Sequence, residues 1–196
     1  MKKIIYVFTI VVTVLAIIVL YNSSFNYASE EENLIPIEVK NIRLADDPAD
    51  EIVTTGPWIN SSEDLTLEKL KGKVVLLEFW TFGCYNCTNT VPHLNEWYKK
   101  YKDKGLEIIG IHCPEFDYER DVDNIKDAVK DLEIKYPVLI DNNFNNWYKY
   151  DVHAWPTIFV IDKNGVERYK KVGEKGYKKT EEVITTLLSE KSNEDN

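Results

Sequence analysis

The chain has 196 residues, a length that fits one domain with a short appendage. Its formal net charge of −9 argues against nucleic acid as a partner, because nucleic-acid-binding surfaces are basic. With only 3 cysteines the chain cannot be a disulfide-stapled scaffold, so any close pair of cysteines calls for a chemical explanation.

The N-terminus has the pattern of a membrane anchor. Lys2 and Lys3 precede an unbroken apolar run from Ile4 to Leu20, about the length that crosses a bilayer. The positive-inside tendency would keep the lysines in the cytoplasm and send the remainder outside. We predict a transmembrane anchor over residues 1–21, with a cleaved signal peptide as the alternative. The predicted location is the cell membrane, single-pass, with the domain on the extracytoplasmic side.

Beyond residue 21 the sequence divides into three parts. Residues 22–55 are polar or irregular and are predicted to form a linker and an irregular N-terminal extension. Apolar segments alternate densely over residues 56–190, which is the predicted folded domain. Residues 191–196, which end the polar, acidic segment that begins at Ser189, are predicted to be a disordered tail.

Five segments of the predicted domain read as β-strands. The first is a continuous apolar run with one acid inside, as expected for a strand that is covered on both faces. The last follows Asp162–Gly165, a hairpin turn signal. The five predicted strands are Val74–Trp80, Glu107–His112, Pro137–Ile140, Thr157–Ile161 and Val166–Lys171.

Helical spacing lies between these strands. Three stretches repeat apolar residues at helical intervals, and Thr180 is predicted to cap the last of them. The three apolar stripes are Leu94, Trp97, Tyr98 and Tyr101; Val122, Ile125, Val129 and Leu132; and Val183, Ile184, Leu187 and Leu188. Strands that alternate with helices, followed by a hairpin and a final helix, predict an α/β fold with a mixed central sheet flanked by helices.

Two cysteines with two residues between them, Cys84-Tyr85-Asn86-Cys87, follow the first strand and open a helix. A helix N-terminus stabilises a thiolate, which is the form that attacks a disulfide. Since the first cysteine lies at the exposed end and the second is shielded, Cys84 is the predicted nucleophile and Cys87 the resolving thiol. Half a zinc site has the same spacing, but no second such pair exists. A redox-active Cys84–Cys87 disulfide, with no metal or other cofactor, is predicted.

The string VVLLEFWTFGCYNCTNTVPHL, residues 74–94, resembles the active-site segment of the thioredoxin superfamily. More narrowly, it is similar to the TlpA/ResA-like membrane-anchored thiol-disulfide oxidoreductases and to the thioredoxin-like domain of DipZ-type proteins. The strings IIGIHCPEF, YPVLIDN and WPT extend the resemblance along the domain. This resemblance implies a thioredoxin-like fold that exchanges disulfides with protein thiols.

Glu78 is the single charge within the strand Val74–Trp80. A carboxyl there would be desolvated, its pKa would rise, and it could relay a proton to or from Cys87. The alternative is a glutamate that reaches the strand edge. The resemblance implies the catalytic role, because thioredoxins carry a buried acid two residues before a tryptophan, here Trp80. Glu stands here in place of the commoner Asp.

The resemblance also implies a substrate groove. In this family the proline that precedes the strand Thr157–Ile161, here Pro156, follows a cis peptide bond and lies against the dithiol. Trp155 would then flank the groove. The predicted substrate-binding residues are Trp80, Tyr85, Asn86, Trp155 and Pro156.

Cys113 follows the second predicted strand, Glu107–His112, on the side expected to carry the active site. Free cysteines are usually buried as small hydrophobic residues, which is the simpler interpretation. The alternative is a third redox thiol that could trap Cys84 or Cys87.

The predicted function is the reduction of extracytoplasmic protein disulfides, for example in cytochrome c maturation. Tyr85-Asn86 lacks the histidine of strongly oxidising motifs, which favours a reducing potential. The predicted partners are protein thiols and disulfides, the membrane through the anchor, and a membrane electron donor of thiol type that recharges the dithiol.

Two other functions stay open. A Cu(I)-binding protein would use Cys84 and Cys87 with His153 or His112, because soft thiolates and imidazole suit that ion. The copper-delivery members of the superfamily, however, have three residues between their cysteines. A thiol peroxidase is suggested by Thr81–Cys84, which resembles the peroxiredoxin T-x-x-C motif, although leucine stands where that motif has proline.

Overall fold

The computed structural model describes residues 48–192. The predicted anchor over 1–21, most of the predicted linker and residues 193–196 lie outside the described residues, so the anchor stays a prediction. Among the residues that are described, no helix is both long and apolar enough to span a bilayer.

Within residues 48–192, six strands form one sheet in the order β1-β4-β3-β2-β5-β6. β2 runs parallel to β3 and β3 parallel to β4, whereas β1, β5 and β6 pair antiparallel with their neighbours. The strands are β1 (Trp58–Ile59), β2 (Val74–Trp80), β3 (Leu106–His112), β4 (Val138–Ile140), β5 (Thr157–Ile161) and β6 (Glu167–Val172). The predicted mixed sheet is confirmed, and the five predicted strands agree with β2 to β6 to within one residue at each end.

Four α-helices and two 3-10 turns connect the strands in the described part of the chain. The helices are α1 (Tyr85–Tyr101), α2 (Val122–Asp131), α3 (Asn145–Lys149) and α4 (Tyr177–Ser189), and the turns are Lys102–Lys104 and Asp117–Arg120. α4 begins at Tyr177 after Gly176 in the left-handed conformation, so the predicted cap at Thr180 is wrong. The Thr180 hydroxyl instead donates a hydrogen bond to the Gly176 carbonyl within the helix.

Side chains alternate along β2 and divide the core into two clusters, one on each face of the sheet. Leu76 and Trp80 belong to the cluster that also contains residues of α1, α2 and α4. Leu77 and Phe79 belong to the other cluster, which contains residues of α3 and of the segment 52–70. Glu78 has the same parity as Leu76 and Trp80, so its carboxyl points to the face that α1 covers.

The segment 48–55, predicted as the end of the linker, packs onto the domain. Pro48 forms a β-bridge with Val166, and Ile52 is buried. The Val53 backbone amide donates to the Asn146 side chain at 2.8 Å, and the Asn146 amide donates back to the Val53 carbonyl at 2.9 Å. The packed domain therefore includes residues from Pro48, eight positions before the predicted boundary.

Candidate functional site

The dithiol lies where β2 ends and α1 begins. Cys84 is the N-cap of α1, and its sulfur accepts a hydrogen bond from the backbone amide of Cys87 at 3.3 Å. Cys84 is half-buried, whereas Cys87 is completely buried. A backbone hydrogen-bond donor is thereby directed at the Cys84 sulfur at the start of α1. The unequal exposure agrees with the sequence expectation, and the roles of the two thiols remain predictions.

Glu78 is completely buried on the face that α1 covers, which excludes the strand-edge alternative. The Tyr136 hydroxyl donates a hydrogen bond to Oε2 at 3.4 Å, and Oε1 has no hydrogen-bond partner among residues 48–192. Burial raises the pKa of the Glu78 carboxyl to about 8, while Tyr136 and the charge of Lys171 act in the opposite direction. Because that pKa lies near neutrality, this carboxyl can both take and give a proton.

Cys87 and Glu78 interact electrostatically. Burial raises the pKa of the Cys87 thiol most, the charge of Glu78 raises it further, and the contact with Cys84 adds to the effect. A thiol of this kind stays protonated at neutral pH and needs a base at the moment it attacks. Glu78 is the carboxyl whose charge acts on Cys87, and its role as that base stays a prediction.

The space for Trp80 and Tyr136 depends on a glycine in the next strand. Gly110 of β3 pairs in register with Glu78. A Cβ atom at position 110 would lie 2.9 Å from Trp80 Nε1 and 3.2 Å from Tyr136 Cε2, too close for any side chain without movement of both rings. Gly110 therefore leaves room for the Trp80 and Tyr136 rings, and the Tyr136 hydroxyl donates to Glu78.

Lys171 lies on the same face of the sheet as Glu78, two strands away. Glu78 of β2 pairs with Ile158 of β5, and Ile158 pairs with Lys171 of β6, so the three residues form one row on one face. Lys171 is half-buried, and its ammonium donates to the Gly173 carbonyl at 2.6 Å. Burial lowers the pKa of Lys171, and the charge of Glu78 partly offsets this. The lysine is a counter-charge for the ionised carboxylate.

Lys171→Met should raise the pKa of Glu78 above its present value of about 8, because the ionised carboxylate loses that counter-charge. The measurement is the carboxyl chemical shift of ¹³C-labelled Glu78 followed over pH. Lys170→Met is the matched control, since Lys170 points to the other face of β6 and donates to the Asp151 carbonyl. Equal shifts in both variants would contradict this placement of Lys171.

The peptide bond between Trp155 and Pro156 is cis, as the resemblance implied. The Pro156 carbonyl accepts a hydrogen bond from the Gly173 amide at 2.7 Å, which ties this loop to the end of β6. Trp155 is half-buried and its ring lies 4.3 Å from that of Trp147. Trp155 and Cys84 both pack against the core cluster on the α1 face.

The residues predicted to bind substrate differ in exposure. Tyr85 is 76% exposed and Asn86 is also exposed, so both are open to a partner beside Cys84. Trp80 is completely buried, with its ring edge-on to His112 at 5.3 Å. Its prediction as a substrate contact is wrong, because its position near the end of β2 puts the indole behind the dithiol loop, under α1.

His112, the last residue of β3, and Cys113, which follows it, are both buried. The His112 Nε2 atom is 3.3 Å from the Thr81 hydroxyl, and desolvation lowers the pKa of the imidazole to about 4. The Cys113 thiol donates to Asp141 at 3.6 Å, and burial raises its pKa. Cys113 belongs to the core cluster opposite the one that contains Cys87. The structure therefore favours a packing role for Cys113 over a third redox thiol.

The proposed copper ligands do not converge. Between residues 48 and 192, no group of three or more histidine, cysteine or acidic side chains is arranged to hold a metal ion. His153 is exposed and pairs with Asp151 at 2.9 Å, a carboxylate partner that sequence spacing did not reveal.

Glu119 is a site residue that sequence analysis missed. Its carboxylate is completely buried and accepts hydrogen bonds from the Gly83 amide at 2.9 Å and the Phe116 amide at 2.8 Å. The glutamate thereby ties the turn Asp117–Arg120 to the residue before Cys84. In sequence it stands among other acids, so no local pattern separates it from a solvated charge.

A mixed sheet with a thiol pair at the start of a helix, a buried acid below and a cis-proline loop beside it defines a thioredoxin-like dithiol protein. The model of the AhpC/TSA family matches residues 47–170, and the chain belongs to this thioredoxin-like family.

Named relatives agree with this class. The chain is 39% identical over 135 residues to protein DipZ of Mycobacterium bovis, covering 68% of this chain and 19% of DipZ. It therefore spans about a fifth of that relative's length. It is 40% identical over 110 residues to the thiol-disulfide oxidoreductase ResA of Bacillus cereus, covering 56% of this chain and 61% of ResA.

Solved structures share the fold. A thiol-disulfide isomerase from Corynebacterium glutamicum aligns with a TM-score of 0.65 at 26% identity, covering 72% of this chain and 97% of that one. StoA from Bacillus subtilis aligns with a TM-score of 0.57 at 20% identity, covering 70% of this chain and 98% of StoA, a likeness of fold alone.

Proposed function

We propose that this chain is a thiol-disulfide oxidoreductase that reduces protein disulfides by dithiol–disulfide exchange through Cys84 and Cys87. The observation that carries the proposal is the asymmetry of the pair. A half-buried Cys84 sulfur accepts the Cys87 amide at the start of α1, and the Cys87 thiol is buried directly behind it. The name of the relative ResA supports the same reaction.

The reaction proceeds in two exchange steps. The Cys84 thiolate attacks one sulfur of the substrate disulfide, and the other substrate sulfur leaves as a thiolate that takes a proton from water. Glu78 then removes the proton from Cys87, whose sulfur attacks Cys84 and releases the second substrate thiol. The dithiol loses two electrons and becomes the Cys84–Cys87 disulfide, while the substrate disulfide gains them.

The direction and setting of the reaction belong to the same proposal. The Tyr85-Asn86 dipeptide carries no charge that would stabilise the Cys84 thiolate, and this favours a reducing dithiol. The apolar run at residues 4–20 supports a membrane-anchored chain whose domain works on the extracytoplasmic side. A thiol-type donor in the membrane would then restore the dithiol, and apocytochrome c during its maturation is a suitable substrate.

The test is the reduction of insulin by dithiothreitol, followed by turbidity. The wild-type chain should accelerate the reaction, and Cys84→Ser should return the rate to that of dithiothreitol alone. Cys113→Ala is the matched control, because Cys113 lies on the opposite face of the sheet and should be dispensable. Full activity of Cys84→Ser would refute the proposal. Rapid consumption of hydrogen peroxide by the reduced chain would favour a thiol peroxidase instead.

A further inference from the structure

The residues that follow β3 pack against Phe82 and Gly83, which precede Cys84. Buried Glu119 binds the Gly83 amide, and the Tyr118 ring contacts that of Phe82 edge-on at 5.7 Å. A Cβ atom at Gly83 would lie 2.2 Å from the Glu119 carboxylate and 2.6 Å from the Tyr118 hydroxyl oxygen. The turn Asp117–Arg120 therefore sits directly against the residue before Cys84, and its outer surface adjoins the nucleophile.

That outer surface carries exposed aromatic rings. Phe116 is 51% exposed and Tyr118 is 54% exposed, and their rings stack at 5.9 Å with planes inclined by 6°. Tyr85, the residue after Cys84, is exposed as well. We call Tyr85, Phe116 and Tyr118 the aromatic patch. Large apolar rings held in water beside a reactive group are typical of a surface that binds a partner, because burying them releases free energy.

The charges on the segment that carries Phe116 and Tyr118 are mainly negative. Glu115, Asp117 and Asp121 are exposed within eight positions of chain, Pro114 to Asp121, where Arg120 is the one basic residue. Arg120 is already engaged, since it donates to the Asn142 carbonyl at 2.8 Å and lies 3.7 Å from Asp117. Such a surface attracts positive groups and repels anionic lipid headgroups.

We propose that the aromatic patch and its acids, Glu115 and Asp117, dock the substrate polypeptide. The partner that fits is an extended segment with lysine or arginine and apolar side chains next to its disulfide. This inference rests on the proposed function and extends it to substrate class. Aromatic side chains bury the apolar part of the segment, and the acids pair with its basic groups while Cys84 reaches the disulfide.

The experiment is a single-turnover oxidation of the reduced full chain, followed by titration of the remaining thiols. Four disulfides are compared: the small uncharged bis(2-hydroxyethyl) disulfide, and three peptides with one common disulfide loop. The flanking residues of the peptides are lysine with phenylalanine, glutamate with phenylalanine, and lysine with serine. We expect the first peptide to react at least about tenfold faster than either of the others, because each of the others lacks one of the two proposed kinds of contact.

Four variants test whether the preference for the first peptide comes from the aromatic patch and its acids. Phe116→Ser with Tyr118→Ser should abolish the preference for phenylalanine, and Asp117→Asn with Glu115→Gln should weaken the preference for lysine and its salt dependence. Both double variants should react with the small disulfide at the wild-type rate. Tyr148→Ser is the aromatic control, since Tyr148 is 75% exposed on α3. Asp103→Asn is the charge control, beyond the far end of the 17-residue helix α1, about 25 Å away.

The outcomes separate the two claims. Failure of the wild type to react with the small disulfide would refute the proposed function itself. A wild type that reduces the small disulfide but reacts equally with all three peptides would overturn the docking surface alone. Equal losses in the patch variants and in the two control variants would also overturn it, because the effect would then not be local.

Discussion

Cys87→Ser should stop turnover and accumulate mixed disulfides between Cys84 and the substrate. Serine keeps the size of the side chain but cannot displace the substrate sulfur from Cys84. Cys84 remains half-buried at the start of α1, so the first exchange step should proceed at a rate near that of the wild type. The mixed disulfide should accumulate to one substrate molecule per chain.

The measurement is intact mass spectrometry after a disulfide substrate has been added to the reduced variant. Cys84→Ser should give no adduct, because the remaining thiols, Cys87 and Cys113, are both completely buried. Adducts mapped to Cys113, or adducts that form as readily without Cys84, would contradict the assignment of the nucleophile.

Glu78→Gln should make the protein more stable at alkaline pH than the wild type. Folding raises the pKa of this carboxyl from 4.5 to about 8, so the folded state holds a proton that the unfolded state releases. The stabilisation from that proton is fully present below about pH 4.5 and is lost as the pH rises toward 8. At one pKa unit per 1.36 kcal/mol, the loss in the wild type approaches about 5 kcal/mol.

Urea unfolding of the wild type should therefore show a free energy that falls between about pH 5 and pH 8, whereas Glu78→Gln should remain nearly level over that range. Glu181→Gln is a suitable control, because that surface acid is paired with Lys100 and its pKa is lowered rather than raised. Because Glu181→Gln retains Glu78, its free energy of unfolding should fall with pH as that of the wild type does. A wild type that stays level over this range, or a Glu78→Gln variant that falls as steeply as Glu181→Gln, would contradict the buried, protonated state of Glu78.

The same variant should slow the second exchange step. Glutamine cannot accept the Cys87 proton, so release of the second substrate thiol should fall about 100-fold, the usual worth of a positioned base. In the wild type this step should accelerate with pH up to about 8, as Glu78 ionises. Rapid-quench measurement of released thiol resolves the two steps. A second step that is unchanged in Glu78→Gln would exclude the carboxyl as the base.

The strands and the dithiol could be predicted because their signals are local. Val74–Trp80 is a long apolar run, and the cysteine pair directly after it can only open the next helix. The single acid in that run pointed to Glu78 for the same reason, since a charge in a covered strand must be buried. Short elements carry no such signal. Trp58–Ile59 and Asn145–Lys149 are too brief to show a period, so β1 and α3 were not predicted.

Other parts of the site depend on contacts between distant residues. Tyr136, two residues before β4, donates a hydrogen bond to Glu78. Lys171 lies on β6, and only the sheet register brings it into the same row as Glu78. In sequence Glu119 cannot be told from the solvated acids around it, and only the fold shows that it accepts a hydrogen bond from the Gly83 amide. Trp80 was misassigned for a related reason: its closeness to Cys84 in sequence does not reveal that its side chain turns into the core.

The most direct test of a reducing dithiol at Cys84 and Cys87 is its equilibrium with glutathione and dithiothreitol buffers of graded potential. The wild-type chain should show one two-electron transition, absent in Cys84→Ser, with a midpoint near that of thioredoxin, at roughly −270 mV. A midpoint near that of the strong oxidants, at roughly −120 mV, would contradict the account.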